Sequence, residues 1–170
     1  MLGEKLEEIG NPKIFYVQDL SKPSLESGIN RLNKKGIDTT RFVTMASDDF
    51  NFDLIEDPTI DNAFSNSLFS HLSLNTILLC LKKLSPKMKK GAKYFSSMII
   101  CPNKDETKPF DWSFLNTKGS DVVSSFNKDP FHYNRETIFK LSLFNTGFNV
   151  IEIHDDYGHP FQKLVEFQKF

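Results

Sequence analysis

The stretch Lys13-Ile14-Phe15-Tyr16-Val17-Gln18-Asp19, followed almost at once by Ser21-Lys22-Pro23-Ser24, decides how the rest of the chain is read. A β-branched and aromatic run ending in an acid predicts a strand. Ser21 then stands as an N-cap, with a proline early in the helix it opens. That helix is predicted to run to about Asn33, with Leu25, Ile29 and Leu32 on one face and Lys34-Lys35-Gly36 closing it. Upstream, Leu2, Leu6 and Ile9 share a helical face before Gly10-Asn11-Pro12. Downstream, Arg41-Phe42-Val43-Thr44-Met45 is the next strand, with Ser47-Asp48-Asp49 directly after it.

Working outward, strand-like and helix-like segments keep alternating. Thr59 to Ser65 is a strand by position, and Ser73 to about Lys89 is a helix carrying Leu74, Ile77, Leu78, Leu81 and Leu84. Pro86 falls inside that span and predicts a kink or break in the last turn, with Gly91 ending the helix. Ala92 to Ile100 reads as a buried strand. Pro102 to Pro130 is polar and has little periodicity, a long loop or insertion of the length expected for a lid, a substrate loop or a disordered excursion. Its Phe110, Trp112, Phe114, Phe126 and Phe131 fit either an apolar lid or the core of an insertion. Arg135 to Asn145 is an amphipathic helix ended by Gly147. Phe148 to His154 and Gln162 to Phe167 are two final strands, joined by Asp155-Asp156-Tyr157-Gly158-His159-Pro160 as an antiparallel pair. Alternating β and α with a closing strand pair predicts a three-layer α/β sheet, and residues 1–170 read as a single domain with 102–130 as its loop or insertion.

Composition narrows the function classes. Lys+Arg is 21 and Asp+Glu 22, giving a net charge of -1, so no basic platform for nucleic acid is expected. The apolar runs are too short for a membrane span, and the N-terminal Met1-Leu2-Gly3-Glu4-Lys5-Leu6 lacks the apolar core of a signal peptide. Cys80 and Cys101 form neither a disulfide framework nor a zinc pattern, and the expected setting is the cytoplasm. His154 and His159 with Asp155 and Asp156 look superficially like metal ligands. One hairpin rarely supplies a complete site, so no metal is assigned. His71 and His132 are read as structural, and no catalytic residue is assigned.

Taken in order, these segments resemble a class I S-adenosylmethionine-dependent methyltransferase. The resemblance begins at Tyr16-Val17-Gln18-Asp19-Leu20-Ser21-Lys22 and continues through Asp48-Asp49-Phe50 and Ser65-Asn66-Ser67-Leu68-Phe69-Ser70-His71-Leu72. Leu81-Lys82-Lys83-Leu84 through Lys90-Gly91-Ala92-Lys93-Tyr94-Phe95 follows. Asp129-Pro130-Phe131-His132-Tyr133 and Gly158-His159-Pro160 with Gln162-Lys163 resemble the tail of a bacterial-type branch. The resemblance implies a Rossmann-like sheet, S-adenosylmethionine as cofactor and a small-molecule or peptide methyl acceptor. It places Asp19 at the ribose hydroxyls with Leu20 beside it among the cofactor-binding residues, Asp48 or Asp49 at the adenine edge, and Asn66 and Ser67 beside the methyl donor and acceptor.

One family feature has no counterpart. The eight glycines include no GxG, so the family's first strand and its glycine-rich turn are missing, and Gly3 matches a position just inside the first helix. Without that strand two sheet edges are left unpaired. The expectation is therefore a methyltransferase domain truncated at its N-terminus and inactive as it stands. A partner chain or a homo-oligomer would cover the edges. The second expectation is a non-catalytic remnant or interaction module completed by another polypeptide.

Overall fold

The computed structural model describes residues 13–115 and 122–170. The helix expected over Leu2 to Ile9 lies outside them. The chain forms two compact units, one ending at Ile55 and the other running Glu56–Phe170.

In the first unit, β1 (Phe15–Asp19) leads into α1 (Lys22–Lys34) and then β2 (Phe42–Ala46). The Ser21 hydroxyl accepts from the Ser24 N–H and Pro23 sits in the first turn, so the sequence signal for this helix start is the physical one. Arg31 and Lys34 in the last turn complement the helix dipole. The two strands pair in parallel from Phe15 opposite Phe42 to Asp19 opposite Ala46. Phe15 and Phe42 stack with ring centroids 4.6 Å apart.

The second unit holds a five-stranded mixed sheet. Its path is β3 (Ile60–Ser65), β4 (Met88–Ile100), β9 (Gln162–Lys169) and β8 (Phe148–His154), with β7 (His132–Tyr133) paired to the end of β4. β3 runs parallel to β4, while β4–β9 and β8–β9 are antiparallel, so the closing strand pair is as the sequence predicts. Phe69, Tyr94, Phe148 and Phe167 are buried together, with centroid spacings from 5.7 to 6.5 Å and mostly edge-on contacts. Such aromatic clusters are the largest apolar contributions a small core can hold.

Two helices are shorter than their periodicity predicts. The α2 helix (Leu74–Leu84) starts on the Ser73 cap and buries Ile77, Cys80, Leu81 and Leu84, but gives way to a 3₁₀ turn over Ser85–Lys87. Pro86 removes the backbone donor an α-helix needs there. Gly91 does not end this helix. It lies inside β4 at φ 82°, where the β3–β4 register jumps from Ile60 opposite Met88 to Asn62 opposite Lys93. A glycine at positive φ supplies that bulge without a Cβ penalty. The α3 helix (Arg135–Lys140) likewise passes into a 3₁₀ turn over Leu141–Phe144, and Asn145 is left-handed. At Gly147 a Cβ would fall 1.9 Å from Ser85 Oγ, so this turn requires glycine by contact as well as by φ.

The expected loop over 102–130 carries short β5 (Phe110–Asp111) and β6 (Val123–Ser124), which pair antiparallel. Trp112 is buried, Phe110 contacts it at 4.6 Å, and Phe126 and Phe131 pack on Tyr133, so these four aromatics are packed rather than free. Phe114 is exposed. His132 is fully buried, which agrees with a structural role. Its Nε2 donates to the Glu106 carbonyl at 2.8 Å, leaving Nδ1 to accept from Ser124 Oγ at 2.7 Å, while Ser124 accepts from the Trp112 indole. Glu106 in turn accepts from the Asn134 N–H and the Thr137 hydroxyl, which ties this segment to the start of α3. Among the described residues, no helix is long and apolar enough to cross a membrane.

Candidate functional site

The C-terminal ends of β1 and β2 lie side by side because the strands are parallel and in register. In open α/β sheets that is where ligands sit. Asp19 is exposed at the end of β1, and one carboxylate oxygen accepts from the Ser21 N–H at 2.7 Å, which orients the group and leaves its other oxygen to solvent. Its carbonyl accepts from the Ser47 N–H at 3.2 Å, joining the two strand ends. Leu20 beside it is 73% exposed, a large apolar side chain with little of its surface covered.

After β2 the chain wraps round one hydroxyl. Ser47 Oγ donates to Asp49 at 2.6 Å and accepts from the Asn51 N–H at 3.0 Å. Asp49 is therefore engaged in holding its own turn. The adjacent Asp48 carboxylate is exposed and takes no hydrogen bond among the described residues. Phe50 follows at φ 56°, a strained value for a side chain of that size. Residues of this turn, with Thr44 and Leu54, line a shallow depression. Of the four positions expected in this unit, Asp19 and Asp48 thus keep open oxygens, Leu20 is an exposed apolar surface, and Asp49 shapes the turn.

In the second unit, Asn66 and Ser67 follow β3, and Ser67 is left-handed at φ 56°. A non-glycine residue holds that conformation only when its surroundings over-determine it. They do so here. The Ser67 N–H donates to Ser97 Oγ at 2.6 Å, Ser97 donates to Gln162 Oε1 at 2.7 Å, and Gln162 Nε2 donates back to Ser67 Oγ at 3.0 Å. Ser70 closes the turn by donating to the Ser67 carbonyl at 2.9 Å. The Ser67 hydroxyl is therefore part of the frame. Asn66 is exposed; its Oδ1 accepts from the Tyr157 hydroxyl at 2.6 Å, and its amide nitrogen remains a donor.

Sequence reasoning did not single out Ser97, Tyr157 or this use of Gln162. The one signal present was polar: Ser96-Ser97 interrupts an otherwise apolar strand, and both serines are fully buried. Buried hydroxyls require partners. Burial holds the Tyr94 and Tyr133 hydroxyls well above the usual tyrosine range, so neither is a base or nucleophile near neutral pH. His71 meets Asp129 at 2.6 Å on the surface.

Comparison with solved structures identifies the fold. An O-methyltransferase family protein from Burkholderia thailandensis superposes on 99% of this chain and 47% of its own, with TM-score 0.68 and 12% identity. A SAM dependent methyltransferase from Aquifex aeolicus matches over 99% and 76%, with TM-score 0.67 and 15% identity. An O-methyltransferase from neocarzinostatin biosynthesis, solved with S-adenosylmethionine and 2-hydroxy-5-methyl naphthoic acid, matches over 99% and 45%, with TM-score 0.63 and 11% identity. The chain spans about half the length of several structures it matches. No protein-family model matches the chain, and no curated protein matches its sequence. The fold is that of the class I S-adenosylmethionine-dependent methyltransferases.

Proposed function

We propose that this chain serves S-adenosylmethionine-dependent methyl transfer to a small-molecule or peptide acceptor. The observation that carries the reading is the open, oriented carboxylate of Asp19 at the end of a parallel strand, next to the turn that bears Asp48. A carboxylate fixed through one oxygen fits a ribose diol, which offers two hydroxyl donors. The exposed Leu20 and the unpaired Asp48 fit an adenine ring, one by its face and one by its amino edge. In the second unit, the Asn66 amide is the donor held ready by Tyr157. The cofactor, when bound, supplies an activated methyl group. The chain's own work is positioning, and a base is needed only for an acceptor whose proton has a high pKa.

The fit is partial. Among the described residues β1 pairs only with β2 and β3 only with β4. This observation favours a second reading: a non-catalytic methyltransferase-like module whose free edges are covered by another polypeptide or a second copy. Calorimetric titration of the 170-residue chain with S-adenosylhomocysteine separates them. The first reading expects saturable binding that Asp19→Ala weakens about tenfold, the loss of one charge-assisted contact. A folded chain that takes up no S-adenosylhomocysteine sinks the first reading and leaves the second.

A further inference from the structure

Away from these strand ends, three side chains on the sheet face of β8 and β9 converge. Glu152 stands directly opposite Glu166 in the antiparallel ladder. Like charges so placed ordinarily destabilise a strand pair. Glu166 is also buried, at 6% exposure, where a carboxylate needs compensation. One oxygen has it: Lys93 on β4 lies 2.7 Å from Glu166 Oε1. The other meets His154, whose Nε2 is 3.0 Å from Glu166 Oε2 and whose Nδ1 is 3.7 Å from Glu152 Oε1. The imidazole rests against Phe95, with centroids 6.4 Å apart. One nitrogen and two carboxylate oxygens thereby lie within 4.8 Å of one another. With the imidazole neutral, two carboxylates face one ammonium and leave a single negative charge over this patch.

We propose that Glu152, His154 and Glu166 form a divalent-cation site, best matched to zinc, that is separate from any methyl-transfer role. The donor set decides the metal: one imidazole nitrogen with two carboxylate oxygens, and no thiolate, suits zinc with water in the fourth position. Zinc-to-ligand distances of about 2.0–2.1 Å set tetrahedral ligand–ligand edges of about 3.3 Å. The 3.0 Å edge between His154 Nε2 and Glu166 Oε2 is already close to that. Glu152 Oε1 lies against the other ring nitrogen, Nδ1, so its exposed side chain completes the set by turning toward Nε2, as it can on a strand that is an edge among the described residues. Lys93 remains on the far oxygen of Glu166 and fixes the carboxylate that the cation meets, as outer partners of metal ligands commonly do. The sequence reading grouped His154 with Asp155, Asp156 and His159. The fold instead draws its second carboxylate from β9, twelve residues on.

The test is a titration of the untagged chain with Co²⁺, followed by visible d–d absorption, and with Zn²⁺ by calorimetry. One ion per chain is expected, with Zn²⁺ displacing Co²⁺. His154→Ala should abolish the bands, Glu152→Gln should weaken binding clearly, and Lys93→Met, which removes an outer partner, should weaken it roughly tenfold to hundredfold. His71→Ala should leave the affinity unchanged. Both ligand variants alter half-exposed or exposed side chains, and far-UV circular dichroism confirms that each is folded. A wild-type chain that binds neither ion, or a His154→Ala chain that binds as tightly as wild type, overturns the site. The three groups are then a hydrogen-bonded charge network only.

Discussion

The two units use the same kinds of elements and end up very differently covered. In the second, β4 and β9 share a ladder from Lys93 opposite Gln168 to Ile99 opposite Gln162, and Ile77, Leu81, Met98, Val165 and Phe167 are essentially inaccessible. In the first, α1 buries only Leu25, no β1 residue is buried, and Ile14, Leu20 and Leu54 stand half or more exposed. A two-stranded sheet is marginal by itself. The lesson is that strand and helix signals, however clear, fix local structure without fixing how much surface it buries. Among the described residues, the unit that carries Asp19 and Asp48 has well-formed elements and a small core of Leu25, Met45, Phe52 and Ile55.

Native-state hydrogen exchange is the most direct way to break that comparison. Amides of β4 and β9 should exchange roughly a thousandfold more slowly than those of β1 and β2, because the latter open without global unfolding. Equal protection across Phe15–Asp19 and Tyr94–Ile100 would mean that the first unit gains stability from something other than its buried side chains. Core truncation sharpens the same contrast. Phe167→Ala removes the hub of the aromatic cluster and should cost about 3–5 kcal/mol in urea unfolding. Leu25→Ala, in a helix with a single buried side chain, should cost about 2 kcal/mol or less. A larger loss at Leu25 than at Phe167 would reverse the ranking of the two units.

The legible parts of the fold were those decided within one turn of chain. Ser21 and Ser73 cap their helices through bonds to residues three positions on, and the acid-ended strand at Asp19 needs no distant partner. Pro86 likewise acts where it stands. Gly91 was harder, because a glycine after a helical pattern ordinarily ends it, whereas here the positive φ serves a bulge that exists only once β3 has paired with β4. The site divides in the same way. Positions at strand ends follow from the α/β pattern, but the frame of Ser67 depends on Gln162, 95 residues away, and Asn66 depends on Tyr157, 91 away. Nothing local in the sequence records such contacts. The buried serine pair in β4 was the single trace of them.

The smallest expected effect concerns the loop that carries Tyr157 toward Asn66. Its His159 is held below the ordinary histidine value of 6.5 by burial, and its Nδ1 accepts the Gln162 N–H at 3.1 Å. Protonation would put a proton on the atom that must accept. The unfolded chain therefore binds a proton more readily than the folded one, so stability rises with pH across the window from the lowered folded value up to about 6.5. It is fully present above that window and declines as acid is added through it. Hydrogen exchange across Asp155–Gln162 should quicken between pH 7 and about pH 5, after correction for the intrinsic exchange rate. His159→Asn keeps a side-chain acceptor for the Gln162 amide and has no proton to take up in that range. The variant should lose the pH dependence while keeping the loop closed at neutral pH. If it retains the wild-type dependence, the titrating group lies elsewhere, and the contrast between a rigid strand pair and a pH-sensitive loop at its tip does not hold.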